Sequence, residues 1–354
     1  MKRVKYGLIG FGGIAENRIA KEGFALDTTR FTPHKDAELV VAWDPNSDRA
    51  SAAKALGIAW AESAESILRD KEIEAIVIAS NNRTHAEWGK AALEAGKHIL
   101  IEKPAGVTVD EVSTLYELAK KKNLSFGVDH MMTKNSYNII ARNLIKDKVI
   151  GDVKSVVLHM EFPYGMVEEE ARTWRCADPL ELGGPIGDVG SHCFYMAEFL
   201  LDCKITGVSC VYTPKKLSFA VEDGAYIKFT TDVGVDGLAR VAFDQKRGSL
   251  DGTMKNLGYE VYGTRGFIEG KGVMFQLSGH NDEPVKLSLS SCIDGVPEEH
   301  HPDEIPNIYA SQISEHAHSI LENKPLSGED ALRNLQLILL SHESAVEGGL
   351  EKRL

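Results

Sequence analysis

Val4-Lys5-Tyr6-Gly7-Leu8-Ile9-Gly10-Phe11-Gly12-Gly13-Ile14-Ala15 is an apolar, strand-like run that passes through three glycines into helix-compatible residues. Gly10, Gly12 and Ala15 stand at the spacing G-x-G-x-x-A. In a turn from strand to helix, the first glycine permits the tight bend and the second lets backbone approach a pyrophosphate. Ala15 allows the helix to lie close on the strand, with the phosphates at the helix N-terminus. Phe11, Gly13 and Ile14 complete this candidate cofactor loop. A glycine-rich turn without a ligand is the plainer alternative, and the strand-turn-helix context weighs against it.

Outward from this stretch, short apolar runs alternate with longer amphipathic segments as far as about Val128. The runs are Tyr6 to Gly10, Leu39 to Trp43, Ala75 to Ala79, His98 to Ile101 and Leu124 to Val128. Their near-continuous apolar character suits strands covered by helices on both faces, so an α/β, doubly wound parallel sheet is expected. Thr108-Val109-Asp110-Glu111 reads as a capping box that opens a helix with Val112, Leu115 and Leu118 on one face. After Gly151 strand-like runs follow one another between glycine turns, from Val153 to Tyr262. Helical stretches are expected at Ile186 to Leu201, Ile308 to Leu321 and Asp330 to Val346. The expected second half is therefore an α+β domain with a large, mostly antiparallel open sheet.

A chain of 354 residues exceeds what one core usually organises. Two domains are expected, residues 1–130 and 131–354, with the C-terminal helix packing back on the first. Hydrophobic residues at 43% and charged residues at 26% are ordinary globular values. A net charge of −12 opposes partners that must be met by neutralising phosphates, so neither nucleic acid nor a membrane surface is expected. Cys176, Cys193, Cys203, Cys210 and Cys292 contain no close pair at metal or redox spacing. Free thiols, no signal peptide and no apolar stretch of transmembrane length lead to a cytoplasmic expectation.

Three further clusters carry chemistry. Asp44 ends the second strand, where a carboxylate can bind the adenosine ribose and repel the extra phosphate of NADP, which favours NAD. A helix cap before Pro45 is its other reading, and nearby Arg49 keeps NADP open. Glu102-Lys103-Pro104 ends the fourth run, and a lysine at that sheet edge can stabilise an alkoxide; a solvated charge is the alternative. Asp188 and His192 lie four apart after Gly183-Gly184-Pro185-Ile186-Gly187, a spacing that suits a general base with a carboxylate beside it. A capping Asp and a packed His would also produce it.

Taken together, the G-x-G-x-x-A, the E-K-P of Glu102 to Pro104 and the G-D-x-G-x-H of Gly187 to His192 resemble the Gfo/Idh/MocA oxidoreductases over nearly the whole chain. Ala91-x-x-Glu94-Ala95-Gly96-Lys97-His98 and His85 add to the likeness. The resemblance implies an NAD(P)-dependent enzyme acting on a sugar, sugar derivative or inositol-like polyol. Lys103 and His192 would be its catalytic pair and Asp188 would assist the substrate. Ser80, Asn81, His85 and Glu102 would be cofactor contacts, with Asn81, His85 and Glu102 around the nicotinamide half. We expect a homo-oligomer, a dimer or tetramer. Trp174-Arg175 resembles a substrate-side loop of sugar-active members, although a Trp packed on the sheet beside a solvated Arg would read the same.

One departure stands out: many relatives carry an Arg-aromatic pair after the fifth strand, where this chain has Asp129-His130-Met131-Met132. Two alternatives stay open, an NAD-dependent glycosidase that oxidises its substrate transiently and a sugar-responsive regulator that binds dinucleotide without turnover. Glu298-Glu299-His300-His301 is read as a solvated loop, and no metal is expected. His316 and His318 are expected on different sides of one helix.

Overall fold

The computed structural model describes residues 2–245, 254–283 and 285–354. The chain forms two compact units, residues 1–131 with 307–335 and residues 132–306 with 336–354.

In the first unit the strands are β1 (Val4–Ile9), β2 (Ala37–Trp43), β3 (Ala59–Trp60), β4 (Ala75–Ile78), β5 (His98–Ile101) and β6 (Phe126–Val128). They form one parallel sheet in the order β3-β2-β1-β4-β5-β6. Every residue of β4 and β6 is buried, which explains why apolar runs replace alternation here. The order reverses between β1 and β4, and ligands of such sheets bind beyond the strand carboxyl ends at that switch point. The capping box forms as expected: Glu111 N–H donates to Thr108 Oγ1 at 3.3 Å and Thr108 N–H to Glu111 Oε2 at 3.0 Å.

The helix Ala15–Gly23 has wide turns, with Phe24 N–H donating to Ile19 O at 2.7 Å. On it packs the helix Ile308–Leu321, whose Ile313 meets the cluster of Tyr6, Leu8, Phe11, Ile19 and Leu39. Polar ties reinforce this packing. Tyr6 OH lies 2.9 Å from His316 Nδ1, and Asn307 Nδ2 donates to Glu22 Oε2 at 2.8 Å. His316 is fully buried, which pushes its pKa down to about 3, whereas His318 is exposed and pairs with Asp36 at 2.9 Å.

The second unit contains β7 (Val153–Glu161), β8 (Ile205–Tyr212), β9 (Gly224–Thr231), β10 (Asp236–Ala242), β11 (Leu257–Gly263), β12 (Gly266–Lys271), β13 (Ser288–Ile293), β14 (Val296–His300) and β15 (Lys352–Arg353). Their order is β14-β13-β12-β11-β7-β10-β9-β8-β15. Among the described strands of this second sheet only β7 and β10 pair in parallel, so the sheet is mostly antiparallel. Helices Ser136–Lys146 and Ser191–Leu201 belong to this unit. One expectation is corrected: Val296–His300 is an edge strand rather than a loop, because Val296 to His300 pair in register with Ile293 to Leu289 across Asp294-Gly295. His300 Nε2 lies 2.8 Å from Ser291 Oγ. Among the described residues no group of three or more His, Cys, Asp or Glu is placed to hold a metal, and no helix is long and apolar enough to cross a membrane.

Candidate active site

The first unit gathers its chemistry at one sheet edge, because parallel strands deliver their carboxyl ends to the same side. Gly10 follows β1, Asp44 follows β2, Ser80 and Asn81 follow β4, Glu102 and Lys103 follow β5, and Asp129 follows β6. Gly10 has φ +90°, and a Cβ there would come within 2.5 Å of the Ser80 amide nitrogen, so only glycine lets the two strand ends meet. A Cβ on Gly12 or Gly13 meets nothing within 4 Å. The loop thus leaves room before the helix Ala15–Gly23, and these residues fit a dinucleotide pyrophosphate. Phe11 and Ala15 face the core, with Ile14 packed against it.

Asp44 accepts the Phe11 N–H at 2.7 Å and the Asn46 N–H at 2.8 Å. Its carboxylate therefore ties the end of β2 to the fingerprint loop. Arg49 donates to Phe11 O at 2.7 Å and to Glu16 at 2.5 Å, with its guanidinium 5.9 Å from the Phe11 ring centre.

His85 is buried between two carbonyls, with Nδ1 2.7 Å from Pro104 O and Nε2 3.0 Å from Ser80 O. Burial lowers its pKa against the pull of both carbonyls. The neutral ring has one N–H to donate, to one of these two carbonyls. The Lys103–Pro104 peptide bond is cis, and the Lys103 N–H lies 3.2 Å from Glu102 Oε2. Thr84 Oγ1 lies 2.8 Å from Ser80 Oγ and 2.9 Å from the acceptor Asn81 O.

In the second unit the candidate residues make three local sets of contacts, Trp174 with Arg175 and Asp188, His192 with Tyr195, and Glu222 with Ile186. The helix Trp174–Ala177 carries Arg175 with its guanidinium 4.5 Å from the Trp174 ring centre and its Nε 3.3 Å from Asp188 Oδ2. Burial would lower the Arg175 pKa, but the Asp188 carboxylate and Tyr164 outweigh it and raise the value. Asp188 lies in a wide helical turn, Ile186–Gly190, that continues into Ser191–Leu201. A Cβ on Gly187 would fall 1.9 Å from Leu182 O, so glycine admits this turn. His192 is buried, with Nδ1 2.7 Å from Tyr195 OH. Glu222 accepts the Ile186 N–H at 2.8 Å.

Tyr195 and Glu222 were not singled out in the sequence. Tyr195 has a signal, the i+3 spacing from His192. Glu222 has none, because it reaches the glycine loop across 36 residues of chain.

Residues 4–130 match the model of the oxidoreductase family with the NAD-binding Rossmann fold, and residues 139–269 match the GFO/IDH/MocA C-terminal domain. A 1,5-anhydro-D-fructose reductase of Ensifer adhaerens is 26% identical over 291 residues, 81% of each chain. Among solved structures, a levoglucosan dehydrogenase complexed with NADH and L-sorbose superposes with TM-score 0.83 at 21% identity, covering 100% of this chain and 99% of that one. A 3-ketoreductase from Actinomadura kijaniata with NADP and TDP-benzene gives 0.79 at 20%, covering 97% and 98%. The matched stretches span well over half of the sequence, and the chain belongs to the Gfo/Idh/MocA family of oxidoreductases with an NAD-binding Rossmann domain.

Proposed function

We propose that the protein moves a hydride between NAD and a secondary alcohol or carbonyl carbon of a sugar, sugar derivative or inositol-like polyol. The observation that carries this reading is the position of Lys103. It follows β5 at the carboxyl edge of the sheet, in the order β1-β4-β5 from the fingerprint loop. Bound nicotinamide supplies the hydride acceptor or donor.

Gly10 to Ala15 hold the pyrophosphate, Asp44 the adenosine ribose, and Ser80, Asn81, His85 and Glu102 the remainder of the cofactor pocket. Lys103 donates to the substrate oxygen and stabilises its negative charge as the hydroxyl ionises. His192 accepts the hydroxyl proton in oxidation and returns it in reduction. Tyr195 fixes Nδ1, which assigns Nε2 to that proton. Asp188, with Arg175 and the face of Trp174, binds the polyhydroxylated ring.

NAD is favoured over NADP because Asp44 brings negative charge to the end of β2, while Arg49 is committed to Phe11 O and Glu16. The five cysteines are all free, which supports work in the reducing cytoplasm. The reading includes a homo-oligomer, a dimer or tetramer, to be decided by sedimentation velocity. Turnover of a panel of sugars and polyols with NAD and with NADP tests the whole reading. Reduction of NAD by one or a few polyols is expected, and the absence of turnover in both directions with both cofactors overturns it.

A further inference from the structure

The second unit contains a cavity that the proposed reaction does not use. Its volume is about 570 Å³, and it lies where the helices Ser136–Lys146 and Ser191–Leu201 end, beside the start of β7 and the turn from β9 to β10. His192 stands in the first turn of the second helix and Leu200, on the cavity wall, in its last. Roughly 12 Å of helix axis separates them.

The fold itself holds the walls in place. Val235 N–H donates to Thr231 Oγ1 at 2.9 Å, and that hydroxyl lies 2.9 Å from Val235 O, which locks the turn from β9 to β10. A Cβ on Gly234, within this turn, meets nothing within 4 Å. On the opposite wall Gly151 turns the chain toward β7 with φ +78°, and Asp152 N–H donates to Thr264 Oγ1 at 3.1 Å.

The charges of the lining are unequal. Arg142, Lys146, Lys148 and Lys154 share it with two carboxylates, Asp152 and Asp202, an excess of two positive charges in a chain of net charge −12. Both carboxylates are engaged: Asp202 Oδ1 accepts from Arg142 Nη2 at 2.8 Å and Asp152 Oδ1 from Lys148 Nζ at 3.0 Å. The Arg142 guanidinium also lies 4.8 Å from the Phe199 ring centre, which restrains its plane. Among the described residues Lys146 and Lys154 form no salt bridge, and Lys154 acts on Asp152 only at longer range. A cation in the last turn of a helix complements the helix dipole, which accounts for Lys146. Lys154 is on β7 and has no helix end to serve. Ile145, Leu200 and Val233 add apolar wall, and Val233 is left 56% exposed.

We propose that this cavity is a second ligand site, one that takes a phosphate monoester with an apolar body. Such a group carries close to two negative charges near pH 7 and so matches the excess of lining cations. Its organic part would cover Ile145, Leu200 and Val233 and remove them from water. Lys146 and Lys154 supply uncommitted charge, and Arg142, held by Asp202, supplies a planar fork.

Phenyl phosphate is the probe, titrated calorimetrically into the full-length protein with NADH in excess, so that the fingerprint loop is already filled. It should bind at least about tenfold tighter than inorganic phosphate, which lacks the apolar body, and than phenol, which lacks the charge. Lys146→Gln/Lys154→Gln changes two exposed residues and should keep a Tm close to wild type, while phenyl phosphate binds roughly tenfold or more weakly. Val233→Asp, which sets a carboxylate on the wall, should weaken the probe as well. Lys228→Gln, a substitution on β9 outside the lining, should leave it unchanged. These variants locate the binding whether or not the cofactor is present, and no readout depends on turnover. Absence of phenyl phosphate binding overturns the proposal, as does equal affinity in the Lys146→Gln/Lys154→Gln variant. Inorganic phosphate bound as tightly as phenyl phosphate would also overturn it, because the site would then be an unspecific anion patch.

Discussion

Glu222 and Ile186 are joined across the loop that precedes His192: Glu222 Oε1 accepts the Ile186 N–H at 2.8 Å, and a Cβ on Gly184 would come within 2.6 Å of the same carboxyl group. Burial pushes the Glu222 pKa up to about 7, with the Ile186 N–H opposing the shift. The folded value is raised above the unfolded one, so this group's stabilisation is fully present below about pH 4.3 and is lost as pH rises through 7. Glu222→Gln keeps an acceptor for Ile186 and removes the titration. Its Tm should gain on wild type by several degrees between pH 5 and pH 8, equivalent to about 2 kcal/mol. A constant difference across that range would show that the carboxyl group does not titrate there.

Gly12 tests the cofactor loop. Since a Cβ at this position meets nothing within 4 Å, Gly12→Val should fold with a Tm close to wild type. Its side chain would occupy room needed by the pyrophosphate, and NADH binding followed by fluorescence should be lost. Normal affinity in the folded variant would remove the fingerprint from the cofactor site.

Asp44 sets cofactor preference in this reading. The wild type should bind NAD more tightly than NADP, because the carboxylate held by Phe11 and Asn46 repels a 2′-phosphate. Asp44→Ala should weaken NAD, since the loop also loses its tie to β2, and should shift the affinity ratio toward NADP by roughly tenfold. Titration of both cofactors checks this. Equal affinities in the wild type would return Asp44 to its reading as a cap before Pro45.

The first sheet was legible because burial on both faces writes its strands as apolar runs, and β2, β4 and β5 appear within two residues of where Leu39, Ala75 and His98 placed them. Ala59–Trp60 was missed, since two residues carry no period. The apolar face of Ile308–Leu321 announced a helix but not its partner. That Tyr6 would meet His316 across 310 residues depends on tertiary packing alone. The site divides in the same way. Gly10, Asp44 and Lys103 were readable because they end strands, whereas the burial of Asp129 after β6 had no sequence signal. The D-x-x-x-H spacing suggested a regular helical face for Asp188 and His192. In the wide turn Ile186–Gly190 Asp188 lies 3.3 Å from Arg175 Nε, and Tyr195 OH lies 2.7 Å from His192 Nδ1, contacts that the spacing alone does not announce.

That last arrangement shapes the prediction on catalysis. If His192 handles the hydroxyl proton, His192→Ala should lower turnover by about 10² to 10⁴-fold while NAD affinity stays nearly unchanged. Tyr195→Phe removes the 2.7 Å partner of Nδ1 but keeps the ring. It should cost less, roughly tenfold, because the base remains present but loses its fixed orientation. Lys103→Ala should also depress turnover, with some loss of cofactor affinity as well. If Lys103 and His192 serve the same chemical step, the Lys103→Ala/His192→Ala double variant should lose less than the product of the single effects, since residues that work as a unit are not additive. In wild type the rate of alcohol oxidation should rise with pH as the base loses its proton, and that limb should vanish in His192→Ala. The decisive measurement is kcat on the best substrate found in the polyol screen: wild-type turnover by His192→Ala would end the assignment of the base, and loss of NAD binding in the same variant would make His192 a cofactor contact instead.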